Sequence, residues 1–139
     1  MLAALLILGQ QPYMTDADKR SAKIMAARAA DWRDGAVVAG SSAGAMVLCD
    51  PMVDPRGGAL TLGLGLVGHL AVLPHYDTWS EEKAHRTVRL ATGHLRIAAV
   101  DECTALIRDP DGAWRSAGAG AVTVYVDGEP AGLDALASR

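Results

Sequence analysis

Residues 36–48, AVVAGSSAGAMVL, decide the fold of this chain. The first four are apolar and predict a buried strand, and the last four predict the first turns of a helix. Between them GSSAG matches G-x-S-x-G, which between a strand and a helix is typical of a nucleophile elbow. There Gly40 and Gly44 leave room for strand and helix, Ser42 Oγ points into open space, and the N–H of Ala43 faces an oxyanion. A phosphate-binding loop or a plain βα turn is the alternative interpretation.

Length and composition limit the class of protein. The chain has 139 residues, half of them apolar, which predicts a single domain over residues 1–139 with a real core. The net charge of −3 with scattered basic residues gives no reason to expect nucleic acid. Two cysteines without a C-x-x-C pattern favour a reducing compartment, so we expect a cytoplasmic protein. No apolar run is long enough for a membrane span, and residues 2–8 predict a buried strand rather than a signal segment.

The order of elements predicts an α/β fold. We expect loop over residues 50–68 and fraying after Pro130. A capping box of Thr78 and Glu81 predicts the start of the second helix. The predicted elements are a strand at 1–8, a helix at 15–32, a strand ending at 40, a strand at 70–73, a helix at 78–93, a strand at 97–100, a hairpin at 105–116 and a strand at 122–126. This alternation predicts a three-layer fold, a mostly parallel sheet with flanking helices and a β-rich C-terminal end.

Three polar residues directly follow predicted strands. Ser42, His75 and Glu102 each come after an apolar strand, and functional groups collect at the carboxyl ends of strands in open α/β sheets. If the strands are parallel neighbours, the three side chains reach one edge as nucleophile, general base and orienting carboxylate. Alternatively, His75 is an ordinary loop histidine, Glu102 is a solvated turn carboxylate, and Asp101 competes for its role.

Other polar residues are weaker candidates for a functional site. Asp54 and Asp77 lie near the candidate site, where turn residues in a polar loop are the simpler interpretation. Arg86 and Arg89 share one predicted helix and are candidates for binding an acidic group of a substrate, with a solvated helix face as the alternative. The remaining histidines have no metal-ligand spacing, so we expect neither a metal nor a cofactor.

Several segments, in order, resemble one family. The chain is similar to the dipeptidase E / cyanophycinase family of serine peptidases, which has a class I glutamine amidotransferase-like α/β fold. The resemblance implies that Ser42 is the nucleophile, His75 the catalytic histidine and Glu102 the triad glutamate of cyanophycinase-type members. The similar segments are GSSAGA at 40–45, GLGL at 63–66, LPHYD at 73–77, RTVRL at 86–90, VDECTAL at 100–106 and GAGAVTVYVD at 118–127.

The resemblance also has departures. Family members are longer at the N-terminus, so the chain is expected to be a short member that lacks the first βα units. Residues 5–9 resemble the strand before the family's G-G motif, which implies Gly9 as the second oxyanion donor, with Gln10 replacing the second glycine. Dipeptidase E-type members use an aspartate between serine and histidine, which makes Asp54 the alternative acid.

These observations predict a serine peptidase-like hydrolase with a Ser-His-Glu triad. The resemblance implies a small peptide or isopeptide substrate, including aspartyl ones, and the composition predicts no nucleic-acid or membrane partner. The alternatives are a non-catalytic remnant of the same fold and an α/β-hydrolase-type esterase, for which Asp54 precedes His75 in the required order. A homo-oligomer is the expected assembly, because an unpaired edge of a parallel sheet invites pairing with another chain.

Overall fold

The structure, a computed structural model, describes residues 5–8 and 35–137. These ranges contain two four-stranded sheets, two short ladders, two α-helices and two 3₁₀ turns. The strands are β1 Leu5–Leu8, β2 Val38–Ser41, β3 Cys49–Asp50, β4 Met52–Val53, β5 Leu60–Thr61, β6 Val67–Gly68, β7 Leu70–Pro74, β8 Arg96–Val100, β9 Thr104–Arg108, β10 Trp114–Gly118, β11 Val122–Val126 and β12 Glu129–Ala131. The α-helices are α1 Ala43–Leu48 and α2 Glu81–Leu90, and the 3₁₀ turns are Tyr76–Thr78 and Leu133–Leu136.

The expected α/β class and β-rich C-terminal end are confirmed, but the strand pairing is mixed rather than mostly parallel. The first sheet has the order β10-β9-β1-β2, in which β1 and β2 are parallel and the other pairs antiparallel. The second has the order β12-β11-β8-β7, in which β7 and β8 are parallel and the other pairs antiparallel. Short connections join β9 to β10 and β11 to β12 as antiparallel hairpins, and the antiparallel pairs β1–β9 and β8–β11 join strands that are distant in the chain.

Strands β7 and β8 form the centre of the core. All five residues of β7 are buried, and so are the last four of β8. Their side chains alternate between two apolar clusters: Leu70 and Val72 belong to one, Ala71 and Leu73 to the other. Such continuous apolar runs are typical of strands covered on both faces, and each buried leucine contributes about 1.5–3 kcal/mol. The chain therefore holds the ends of these two strands rigidly.

The second helix begins later than the capping box predicts. Thr78 ends the 3₁₀ turn, and its Oγ1 donates to the carbonyl of His75 at 2.8 Å. Ser80 is the N-cap of α2 instead, and its Oγ accepts the N–H of Lys83 at 3.4 Å. Because the Thr78 hydroxyl is used within the preceding turn, the cap passes to the next available hydroxyl. The helix ends at Leu90, before the predicted stop at Gly93.

The tail beyond Pro130 is ordered up to residue 137, contrary to the expected fraying. Strand β12 pairs with β11, and Leu133 and Leu136 pack against the core, which offsets the ordering of the segment. The expected loop at 50–68 contains only the two-residue strands β4, β5 and β6 and the end of β3. The first strand is present at Leu5–Leu8. Residues 1–4 of that prediction and the helix at 15–32 lie outside the described residues.

Candidate active site

Ser42 lies on a strained turn between β2 and α1. Its backbone has φ 52° and ψ −117°, which lies outside the left-handed helical basin and is sparsely populated by residues other than glycine. Such a conformation costs of the order of 1–3 kcal/mol and persists only where the surroundings enforce it. Here the carbonyl of Ser42 accepts the N–H groups of Ala45 and Met46 at 3.0 and 3.1 Å. The turn therefore has the strand–turn–helix geometry expected of a nucleophile elbow.

The two glycines of the motif differ in what they do. A Cβ on Gly40 would lie 2.4 Å from the carbonyl oxygen of Gly44, so only glycine lets the strand and helix approach this closely. A Cβ on Gly44 would meet nothing within 4 Å. The expectation that both glycines relieve crowding is therefore right for Gly40 and wrong for Gly44, because the crowding is one-sided.

His75 bridges the serine and the glutamate. It follows β7 directly, adopts a left-handed conformation with φ 56° and ψ 38°, and is 6% exposed. Its Nε2 lies 3.0 Å from Ser42 Oγ, and its Nδ1 lies 3.2 Å from Glu102 Oε1. A proton on Nδ1 is donated to the carboxylate, which leaves Nε2 to accept the hydroxyl proton of Ser42. Ser42 itself is 8% exposed, so this hydrogen bond is shielded from water.

Strand pairing places two of the three side chains, and helix packing places the third. β7 and β8 are parallel neighbours with Pro74 opposite Val100, so His75 and Glu102 leave the same sheet edge, as expected. Ser42, in contrast, follows a strand of the other sheet, and α1 carries it there by packing against β7. The expectation of three neighbouring strands thus holds for one pair. The position of the third side chain, Ser42, depends on how α1 packs.

Asp54, the alternative acid, lies in a turn that is closed on itself. Its Oδ1 accepts the N–H of Arg56 at 2.9 Å and lies 4.0 Å from Arg56 Nε. Within the described residues Asp54 has no hydrogen bond to His75. Its carboxylate is occupied locally, as in an Asx turn.

The two arginines of α2 are not drawn into the cluster. Arg86 and Arg89 are exposed, and Arg89 Nη1 lies 3.5 Å from Nε2 of His85, one helical turn earlier. Among the hydrogen bonds and ion pairs of the described residues, neither arginine is joined to Ser42, His75 or Glu102. They lie on a solvated helix face, where a role in substrate binding remains a proposal.

The oxyanion donors fall partly within the described chain. Ala43 is the first residue of α1, where backbone N–H groups have no partner inside the helix. Within residues 35–137 its N–H has no backbone acceptor, so it is available to a ligand. Gly9, the expected second donor, lies outside the described residues.

Two groups beside His75 were underestimated from the sequence. Asp77 Oδ1 accepts the backbone N–H of Glu102 at 3.0 Å, although the sequence suggested only a turn residue. The hydroxyl groups of Tyr76 and Tyr125 are 2.7 Å apart. Burial, the bond to Tyr125 and nearby Asp101 raise the pKa of Tyr76 to about 12. The segment H-Y-D at 75–77, directly after a buried strand, was the sequence signal that Tyr76 and Asp77 adjoin the site.

The described residues contain no cluster of three or more His, Cys, Asp or Glu side chains arranged to hold a metal ion. Among the helices of residues 35–137, none is long and apolar enough to cross a membrane.

Fold and site together define a class: an α/β protein with a strained serine hydrogen-bonded to a buried histidine. The model of peptidase family S51 matches residues 17–114, which is more than half of the chain. The chain belongs to peptidase family S51, and the expected dipeptidase E / cyanophycinase relationship is confirmed. No curated protein matches the chain significantly.

A solved structure is also similar to the chain. It is the crystal structure of a peptidase from an acI-B1 actinobacterium, with 27% sequence identity and a TM-score of 0.55. The similar region covers 70% of this chain and 42% of that one. The chain thus spans less than half the length of the solved peptidase.

Proposed function

We propose that this chain carries the catalytic centre of a serine peptidase, with Ser42 as nucleophile, His75 as general base and Glu102 as orienting carboxylate. One observation carries the proposal: the unbroken hydrogen-bonded series from Ser42 Oγ through the His75 ring to Glu102, with steps of 3.0 and 3.2 Å. Membership of a peptidase family supports it independently. A nucleophile, a base within hydrogen-bond reach and a group that orients the base are the parts that acyl transfer requires.

The mechanism follows from these positions. His75 Nε2 takes the proton of Ser42 as Oγ attacks an amide carbonyl, and Glu102 stabilises the imidazolium that forms. The N–H of Ala43 donates to the oxyanion, and we propose Gly9 as the second donor. His75 then protonates the leaving amine, and water resolves the acyl-enzyme by the same steps. Losing one oxyanion donor typically costs about 10²–10³ in rate, so the Gly9 region matters for turnover.

We propose small peptides or isopeptides, including aspartyl ones, as the substrates. The resemblance to dipeptidase E and cyanophycinase supports this choice. Arg86 and Arg89 are candidates for the acidic group of such a substrate, because guanidinium groups bind carboxylates in a bidentate manner.

Labelling with a fluorophosphonate tests the nucleophile. We expect one adduct per chain, which mass mapping places on Ser42, and no adduct in Ser42→Ala. Ser41→Ala is the matched control, because Ser41 is the neighbouring hydroxyl at the end of β2, and it should be labelled like the wild type. Labelling of Ser42→Ala at the wild-type rate would remove Ser42 from the mechanism.

A non-catalytic remnant of the same fold is the second candidate. The similar region covers 42% of the solved peptidase, so catalysis by this chain on its own has to be tested directly. The same labelling experiment separates the two candidates, since a remnant leaves the wild-type chain unlabelled. The esterase alternative needs Asp54 as the acid, and the local hydrogen bond of Asp54 to Arg56 argues against it.

A further inference from the structure

The Glu102 carboxylate is poorly enclosed for a group that must orient an imidazole. Its side chain is 38% exposed, and within the described ranges its side-chain hydrogen bond is the one to His75. A catalytic group must stay within about 0.5 Å of its productive position, which normally requires packing around the side chain. Here the backbone of Glu102 has to supply that constraint.

Both backbone polar groups of Glu102 are held by side chains. Its N–H donates to Asp77 Oδ1 at 3.0 Å, and its carbonyl accepts the hydroxyl of Thr104 at 3.0 Å. Thr104 is 2% exposed, and its Oγ1 also accepts the N–H of Gly120 at 2.9 Å. The hydroxyl therefore both donates and accepts a hydrogen bond, and it ties the turn to the segment that precedes β11.

Asp77 connects the two halves of the site. It lies in the 3₁₀ turn that begins directly after His75, and Thr78 of that turn donates to the His75 carbonyl. The turn that positions His75 therefore also binds the backbone N–H of Glu102, the residue that orients His75. A displacement of Asp77 moves Glu102 relative to the imidazole.

The segment 118–121 closes the turn from the other side. The N–H of Ala119 donates to the carbonyl of Cys103 at 3.1 Å, and Asp101 and Ala121 exchange two hydrogen bonds of 3.1 and 2.9 Å. A Cβ on Gly120 would lie 2.6 Å from Asp101 Cβ and 2.7 Å from Thr104 Oγ1. A side chain at this position would therefore collide with the Glu102 turn.

We infer that Asp77 and Thr104 are positioning residues that hold the Glu102 carboxylate against His75 through the Glu102 backbone. The inference rests on the proposed function and deepens it. Neither residue touches the reacting atoms. In this proposal Asp77 acts as a hydrogen-bond acceptor, because its Oδ1 binds the backbone N–H of Glu102.

The test measures the second-order rate constant of fluorophosphonate labelling of Ser42. Thr104→Val keeps the shape and removes the hydroxyl, and Asp77→Ala removes the acceptor. Each should slow labelling by roughly ten- to hundredfold, the effect of a misplacement of about 1 Å. Thr104→Ser and Asp77→Asn retain the hydrogen-bonding atoms and should restore most of the rate.

Two variants control for general damage. Thr87→Val removes a buried hydroxyl that donates to the carbonyl of Lys83, and Asp111→Ala removes an exposed carboxylate that accepts the N–H of Ala113. Both should label at the wild-type rate. In a Glu102→Gln background, Thr104→Val should have no further effect, because the group it positions is already disabled.

The outcomes separate the two proposals. An unlabelled wild-type chain contradicts the proposed function. If the wild type is labelled, the inference is overturned by wild-type rates in Thr104→Val and Asp77→Ala, or by effects that multiply with Glu102→Gln. A rate in Asp77→Asn as low as that of Asp77→Ala would show that Asp77 acts by charge instead.

Discussion

The two carboxylates considered as the acid of the site lie on turns of opposite construction. Asp54 is satisfied within its own loop: its carbonyl accepts from Gly58, its N–H donates to Ala59, and its carboxylate accepts from Arg56. The Glu102 carboxylate contacts His75 and its backbone N–H donates to Asp77, both more than twenty positions away, while its carbonyl accepts from nearby Thr104. A carboxylate whose contacts are local stabilises a turn, whereas one tied by distant contacts is placed by the fold. This difference favours Glu102 as the orienting group.

One glycine of each turn shows a difference in packing. Around Glu102 the glycine of the facing segment, Gly120, has atoms within 3 Å of the position that its Cβ would occupy. In the Asp54 loop, a Cβ on Gly57 would meet nothing within 4 Å. Gly120 therefore has no room for a side chain, whereas Gly57 does, although its neighbour Gly58 is buried against Thr87.

The largest expected difference lies between Glu102→Gln and Asp54→Asn. The amide of Glu102→Gln cannot stabilise the His75 imidazolium, so peptide hydrolysis should fall by roughly 10²–10⁴ while the fold is retained. Asp54→Asn should change turnover little, because its contact to Arg56 belongs to the loop. Steady-state kinetics of both variants, with thermal melting as the check on folding, decides the matter. The opposite ranking would reverse the assignment of the acid.

A smaller contrast is expected between Gly120→Ala and Gly57→Ala. The added methyl at Gly120 overlaps Asp101 and Thr104, which should cost about 1–3 kcal/mol of unfolding free energy. At Gly57 the free energy should stay the same or rise slightly, since alanine restricts the unfolded chain. Urea denaturation of the two variants beside the wild type measures both. Equal stability of the two variants would contradict the packing difference.

The smallest effect concerns the thiols associated with the two regions. Cys103, in the Glu102 turn, is exposed, whereas Cys49, before the Asp54 loop, is buried. Burial raises the pKa of Cys49 to about 12, so in the folded chain it stays a neutral, unreactive thiol at ordinary pH. A chromogenic disulfide reagent should titrate one thiol per native chain and two after denaturation. Cys103→Ser should abolish the native reaction, and a remaining fast thiol would show that Cys49 is accessible.

The sequence was sufficient for features that depend on neighbouring residues. The apolar run before GSSAG predicts the strand, the turn and the helix that place Ser42, because the pattern and the backbone requirement of Gly40 lie within a few residues. The strands before His75 and Glu102 are equally predictable from the sequence, since each is a short apolar run followed by polar residues. The β-rich C-terminal end follows from its turn residues.

The tertiary structure alone decided which of these elements meet. No local pattern reveals that β2 belongs to one sheet and β7 to another, or that α1 carries Ser42 to His75 by packing. The same holds for the link from Asp77 to Glu102 and for the ordering of the tail by Leu133 and Leu136. These contacts join residues far apart in the chain, and their geometry depends on how whole strands and helices pack. The sequence therefore determined the candidate groups, and packing over long chain separations determined their arrangement.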